Sequence, residues 1–232
     1  MSDITTLLID VGGPIVLEIE SEKAWHSKLK LLVFEATGKA LNDFEIEHYM
    51  QEAVRCYAPS IFSYVIWQAV KPDKSLFFRF REEFDRFPLE EHFKFQTDIK
   101  NILSKLHAHF RLGIAANQNE AAFRFLEKAG ILEFFDFKKV SEQIGYSKPD
   151  VRHFLTILEA LGAKPEEAMM VGDRQDNDIV PAKLIGMKAV RLLTGVNRNQ
   201  MVRYPREEAD FTIENISELL EIEPIRSKLA RP

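Results

Sequence analysis

The stretch EAMMVGDRQDND, Glu167–Asp178, sets a short apolar run directly against two carboxylates spaced five residues apart. EAMMV reads as a buried strand, and Gly172 lets the backbone approach whatever Asp173 and Asp178 hold, while Asp176 is expected to face elsewhere. Paired carboxylates at a strand end suit a hard divalent cation. With oxygen ligands and no nearby Cys or His, Mg²⁺ is favoured over Zn²⁺. The plainer reading of the same acids is an N-cap and a solvated turn.

The same grammar recurs on both sides. Ile4–Asp10 (ITTLLID) is a β-rich apolar run that stops at Gly12-Gly13-Pro14, a sequence that cannot continue a strand. A helix is predicted around Phe95–His109, then a strand at Arg111–Ala116 (RLGIAA), with Asn117–Asn119 placed to cap a helix that runs to Gly130. A strand near Phe137–Val140 follows, and Pro149 opens a helix that closes at Gly162. Two further strands fall at Lys188–Leu193 and Asp210–Ile213. Strands alternating with helices imply right-handed βαβ units, hence an α/β fold with a Rossmann-like parallel sheet flanked by helices. In such sheets ligands bind beyond the carboxyl ends of the strands. The segments there read DVGGP, ANQNE, SEQIGYSKPD and GDRQDND.

Between Ser21 and Phe87 the period changes to helical, with breaks at Gly38, Pro59 and Pro72 that divide the block into three or four helices. A small bundle of this size reads as an all-α insertion. The predicted division is residues 1–16 plus 89–232 for the α/β core and 17–88 for the inserted helical cap.

Thirty-one Lys and Arg against thirty-six Asp and Glu leave a net charge of −5, without a basic arm, so nucleic acid is not the expected partner. Cys56 is the single cysteine and excludes an internal disulfide. The opening MSDITTLLID lacks the marks of a signal peptide, and no apolar run approaches the roughly 20 residues that span a bilayer. The expectation is a soluble cytoplasmic monomer or homodimer without a membrane partner.

Asp10 follows its strand directly, so its carboxylate should meet the crevice; the alternative is an Asp that caps the Gly-Gly turn. Lys148 stands just ahead of a helix start, where the macrodipole disfavours a cation, and therefore wants an anion, either a carboxylate or a phosphate. Taken in order, strand-Asp10, Ala116-Asn117, Lys148-Pro149 and Gly172-Asp173-x4-Asp178 resemble the haloacid dehalogenase superfamily, in the subclass with a helical cap after the first strand. SEQIGYSKPDVRHF (Ser141–Phe154), VGDRQDNDIVPAKLIGMKAV (Val171–Val190) and ADFTIENISELLEI (Ala209–Ile222) carry the resemblance across nearly the whole chain.

The resemblance implies that Asp10 attacks phosphorus to give an aspartyl-phosphate that water hydrolyses. It implies Mg²⁺ held by Asp10, the Gly12 carbonyl, Asp173 and Asp178. Lys148 would hold Asp10 and the transferring group, and Ala116, Asn117 and Lys148 would meet the phosphate of a small phosphorylated metabolite. Three positions depart from the family's usual pattern, the mildest being Pro14, where Thr or Val is more usual. Gly12 stands where phosphatases carry an Asp general acid, and Ala116 where Ser or Thr binds phosphoryl oxygens. These departures keep open a non-catalytic or barely active binding protein of the same fold. A 2-haloacid dehalogenase is the third reading, opposed by Gly172-Asp173. In the cap, Trp25, Tyr49, Tyr57, Tyr64 and Trp67 are candidates for either a leaving-group pocket or the bundle core, and His26 and His48 are candidate proton donors.

Overall fold

The structure is a computed structural model describing residues 3–230. The chain divides into two compact units: residues up to Leu17 with Lys94–Arg198 and the chain from Val202 on, and Glu18–Phe93 with Asn199–Met201. In chain order, β1 (Thr6–Ile9) and β2 (Val16–Leu17) precede helices α1 (Ile19–Thr37), α2 (Asp43–Cys56), α3 (Ile61–Val70) and α4 (Lys74–Asp85). There follow β3 (Lys94–Phe95), α5 (Ile99–His107), β4 (Arg111–Ile114), α6 (Glu120–Lys128), α7 (Ser141–Ile144) and α8 (Val151–Leu161). The chain continues through β5 (Ala168–Gly172), α9 (Val180–Leu184), β6 (Lys188–Leu192), β7 (Phe211–Ile213) and α10 (Ile225–Leu229).

Five strands form one sheet in the order β4-β1-β5-β6-β7, all parallel. Every residue of β1 (TLLI) and β5 (AMMVG) is buried, the continuous apolar pattern of strands covered on both faces. Leu8 and Met170 belong to a cluster with Phe154, Ile157 and Leu158 of α8 and Ala182 of α9, which packs those helices onto the sheet. The register decides the site: Ile9 lies opposite Ile114 on one side and Val171 on the other, so the three chains leave the sheet at one level.

Several boundaries differ from the sequence expectation. Phe137–Val140 is no strand; Phe137 makes a single bridge to Gly113, because Lys138 and Lys139 are exposed and nothing on them packs against a neighbouring strand. Pro149 lies ahead of α8, which starts at Val151 after the Asp150 side chain accepts the Arg152 N–H at 2.9 Å. Phe95 pairs with Val16 in the short antiparallel β2–β3 ribbon, so the next helix begins only at Ile99. Two-residue strands are too short to show a period.

In the second unit Gly38, Pro59 and Pro72 fall between four helices. Asn42, Ser60 and Asp73 cap α2, α3 and α4 through their side chains. Trp25 is bundle core, 2% exposed, with its ring 4.7 Å from Phe62 and 4.9 Å from Phe84. A cavity of about 190 Å³ in this unit is bordered by Trp25 but by none of Tyr49, Tyr57, Tyr64 and Trp67. His26 Nε2 lies 3.2 Å from Met50 Sδ, and burial pulls its pKa down against the opposing pull of Asp43. His48 lies 3.7 Å from Glu52 on the exposed side of α2. Among the described residues, no helix is long and apolar enough to cross a membrane.

Candidate active site

Asp10 continues the β1 ladder by one hydrogen bond, its N–H donating to Val171 O at 2.9 Å, so its side chain projects from the carboxyl edge of the sheet. Asp10 Oδ1 accepts from the Val11 N–H at 2.7 Å and from Lys148 Nζ at 3.0 Å. The same ammonium donates to Asp178 Oδ1 at 2.5 Å. Oxygen atoms of Asp10, Asp173 and Asp178 all lie within 4.8 Å of one another. Four charged side chains spread over 169 positions of sequence, 10 to 178, thus meet in one crevice.

Asp178 reaches this place through an unusual turn. After β5, residues Gln175–Ile179 form one turn of π-helix, the Val180 N–H donating to Gln175 O, five residues back. The wider turn brings the Asp178 carboxylate back over Gly172, where its Oδ2 accepts the Arg174 N–H at 2.9 Å. Asp176 turns away and pairs with the Arg174 guanidinium at 2.6 Å. Asp173 is held by Asn197, whose Nδ2 donates to Oδ2 at 2.8 Å. Gly13 has φ +81°, and a Cβ there would stand 3.1 Å from the Asp173 side chain, so both conformation and space call for glycine.

Two carboxylates, Asp10 and Asp178, share one ammonium in a place that water barely reaches. Burial raises the Asp10 pKa to about 6, with Lys148 pulling it down and Asp178 pushing it up. Burial also pulls the Lys148 pKa down, but Asp10 and Asp178 together hold its ammonium above the ordinary value. Replacing Lys148 by Met leaves the fully buried Asp178 carboxylate without its cation, a loss of about 3–5 kcal/mol by analogy with broken buried pairs. The cost should shrink as pH falls and Asp10, freed from the lowering pull of Lys148, takes up its proton. Urea unfolding of Lys148→Met and wild type at pH 8 and pH 5 checks this, and an equal difference at both pH values would refute it.

The remaining sequence candidates are placed as follows. Ala116 is fully buried and offers no hydroxyl; its carbonyl accepts the Ser141 N–H at 3.1 Å. The Asn117 side chain does not point to open space: Oδ1 accepts the Lys148 N–H and Nδ2 donates to Lys148 O, both at 2.8 Å. Gly12 bridges to Val16 within the loop after β1. Sequence reasoning missed Asn197 and His153, both buried, because a lone Asn in a loop and a lone His in a helix carry no pattern of their own. It also passed over Thr194, which a Gly13 Cβ would meet at 3.0 Å.

The parallel sheet, with acids and a lysine gathered at its carboxyl edge, defines an α/β protein of the kind whose ligands bind beyond the strand ends. The family model for haloacid dehalogenase-like hydrolases matches residues 29–192, which include Lys148, Asp173 and Asp178 and leave Asp10 ahead of the match. The chain belongs to the haloacid dehalogenase-like hydrolase family. It is 39% identical over 110 residues to a glyceraldehyde 3-phosphate phosphatase of Methanopyrus kandleri, covering 47% of this chain and 46% of that one. It is 31% identical over 143 residues to a phosphoserine phosphatase of Thermus thermophilus, covering 62% and 53%. The chain spans about half the length of the curated relatives it matches. Among solved structures, a predicted phosphoglycolate phosphatase from Haemophilus somnus superposes with a TM-score of 0.75 at 18% identity, covering 95% of this chain and 98% of that one. At that identity the likeness speaks for the fold alone.

Proposed function

We propose that this protein is a cytoplasmic, Mg²⁺-dependent phosphatase that hydrolyses a small phosphomonoester through an aspartyl-phosphate on Asp10. The observation that carries the reading is the Lys148 ammonium bonded to Asp10 and Asp178, with Asp173 in the same cluster. The names of the Methanopyrus and Thermus relatives support the substrate class. An all-oxygen set carrying more negative charge than Lys148 cancels, with the Asp10 pKa raised by its burial, fits a hard divalent cation. Asp10, the Gly12 carbonyl, Asp173 and Asp178 would hold Mg²⁺, which when bound supplies the positive charge a phosphate dianion needs beside carboxylates.

Asp10 Oδ1 is occupied by Val11 N–H and Lys148, which turns the carboxylate so that Oδ2 is the attacking oxygen. Oδ2 bonds to phosphorus as the ester oxygen departs with its electron pair, and water then displaces phosphate from Asp10. Lys148 and the backbone N–H groups of Asn117 and Gln118 would meet the transferring oxygens. The helical insertion, residues 17–88, takes the role of substrate-selecting cap. Gly12 has no proton to give, so the leaving oxygen must take one from water. Activated esters should therefore outpace alkyl esters by about 10²–10⁴ in kcat/KM, the usual worth of general acid catalysis.

The experiment is hydrolysis of p-nitrophenyl phosphate and of an alkyl phosphate by wild type and Asp10→Asn, with Mg²⁺ and with chelator. Turnover that needs both Asp10 and the metal supports the proposal. Wild type no faster than the variant overturns it in favour of a binding protein without turnover, the reading that Gly12 and Ala116 favour. Release of halide from 2-haloacids without metal would instead identify a dehalogenase.

A further inference from the structure

We infer that Asn117 and His153 are positioning residues that latch the Lys148 loop from two sides and so aim its ammonium at Asp10. The inference rests on the proposed hydrolase reading for its kinetic consequence, and on geometry alone for the latch. Lys148 comes from a loop in which Gly145, Tyr146, Ser147 and Pro149 are all exposed, yet Lys148 itself is 4% exposed. A long side chain that enters the protein from a surface loop is aimed only if its backbone is fixed.

Beside the Arg152 guanidinium over the Tyr146 ring, two hydrogen-bonded contacts from outside the loop hold its backbone. From the end of β4, the Asn117 amide pairs with the Lys148 N–H and carbonyl, both at 2.8 Å and across 31 positions of sequence. This commits the Asn117 side chain to backbone, where it would otherwise be free to meet phosphate. From α8, His153 Nδ1 lies 2.8 Å from Tyr146 O, two residues ahead of Lys148. Because a carbonyl only accepts, Nδ1 carries the proton and Nε2 is a bare lone pair. Nε2 is buried without a hydrogen-bond partner in a ring that is 0% exposed. The unpartnered Nε2 is a cost that a leucine would not carry, and it offsets the gain from the Nδ1 hydrogen bond, so stability gives little net reason for histidine. Burial lowers its pKa to about 4, which keeps the ring neutral and adds no second cation beside Lys148.

The two explanations separate in kcat. If His153 only packs, His153→Leu leaves kcat unchanged; if it holds the loop, kcat falls while the urea midpoint stays at or above that of wild type. With p-nitrophenyl phosphate and Mg²⁺, His153→Leu and Asn117→Ala should lower kcat by about 10- to 100-fold, the scale of a 1 Å misplacement, with KM within about threefold. His153→Asn, whose amide nitrogen can stand where Nδ1 does, should stay within about threefold of wild type. Acetylation of Lys148 by acetic anhydride, read by peptide mass spectrometry, gives a measure independent of turnover. It should run at least about fivefold faster in His153→Leu and Asn117→Ala, because the loop opens more often.

Unchanged kcat in His153→Leu, or equal losses in His153→Leu and His153→Asn, overturns the inference. Acetylation at the wild-type rate in both latch variants overturns it as well. If wild type itself shows no turnover, the hydrolase reading fails separately, and the Lys148 labelling rate decides the latch by itself.

Discussion

Asp10→Asn is expected to abolish turnover and, in the absence of metal, to make the protein more stable above pH 6. The first effect is removal of the proposed nucleophile, on the order of 10⁴ or more in kcat. The second follows from linkage. The Asp10 pKa is about 6 in the folded chain against 3.8 for an ordinary Asp, so the folded state holds this proton more tightly than the unfolded state. Stability from the protonated carboxyl is fully present below pH 4 and is lost as pH rises through 6. The loss is about 3 kcal/mol at most, since each pKa unit is worth 1.36 kcal/mol. Asparagine never ionises and escapes that loss, while its carbonyl still accepts from Val11 and Lys148, and Lys148 keeps Asp178. Urea unfolding with chelator at pH 5 and pH 8 should show the variant's advantage growing with pH. Added Mg²⁺ should stabilise wild type and reduce or reverse the difference. A variant less stable than wild type at pH 8 without metal would show that the Asp10 carboxylate is held by favourable contacts and not merely tolerated.

Gly172→Ala is expected to be among the most damaging single substitutions in the chain. An added Cβ would lie 2.4 Å from both Cγ and Oδ2 of Asp178, well inside any real contact. The requirement is one of space: Gly172 is the last residue of β5, in register with Arg191, and its φ is not positive. Asp178 cannot step aside cheaply, because it is fully buried with Oδ1 on Lys148 and Oδ2 on the Arg174 N–H. Overpacking costs about 1–3 kcal/mol, and each lost hydrogen bond to a charged group about 1.5–3 kcal/mol. A total of about 3–5 kcal/mol, together with loss of metal affinity and turnover, is the expected outcome. Calorimetric unfolding and Mg²⁺ titration measure the two. A variant within 1 kcal/mol of wild type would mean that the π-turn after β5 relaxes freely.

Both predictions depend on residues that the sequence shows unequally. Asp10, Lys148, Asp173 and Asp178 stand in the text beside strand ends and a helix start, and hydrophobic period with turn chemistry is enough to mark those places. The expected strand at Phe137–Val140 failed for a related reason. Phe137 and Val140 are both buried, but they stand three positions apart around two exposed lysines, which is not the alternation of a strand, and only Phe137 bridges to the sheet. The β2–β3 ribbon went unread because two residues per strand contain no period at all. His153 was unreadable in another way. Its helix looks the same with any apolar residue at that position, and only the nearby Tyr146 carbonyl makes histidine meaningful.

The sequence by itself determined the alternation of strands and helices, the helical insertion, and which segments end at the carboxyl edge, because period, caps and glycine turns act between residues a few positions apart. The tertiary structure alone decided which groups touch: one ammonium between Asp10 and Asp178, Asn117 on the Lys148 backbone, Asn197 on Asp173, and Asp178 folded over Gly172. Those contacts join residues up to 138 positions apart, and their distances are fixed by strand register and by one π-turn. Neither leaves a local trace, since register is set by packing against the rest of the sheet.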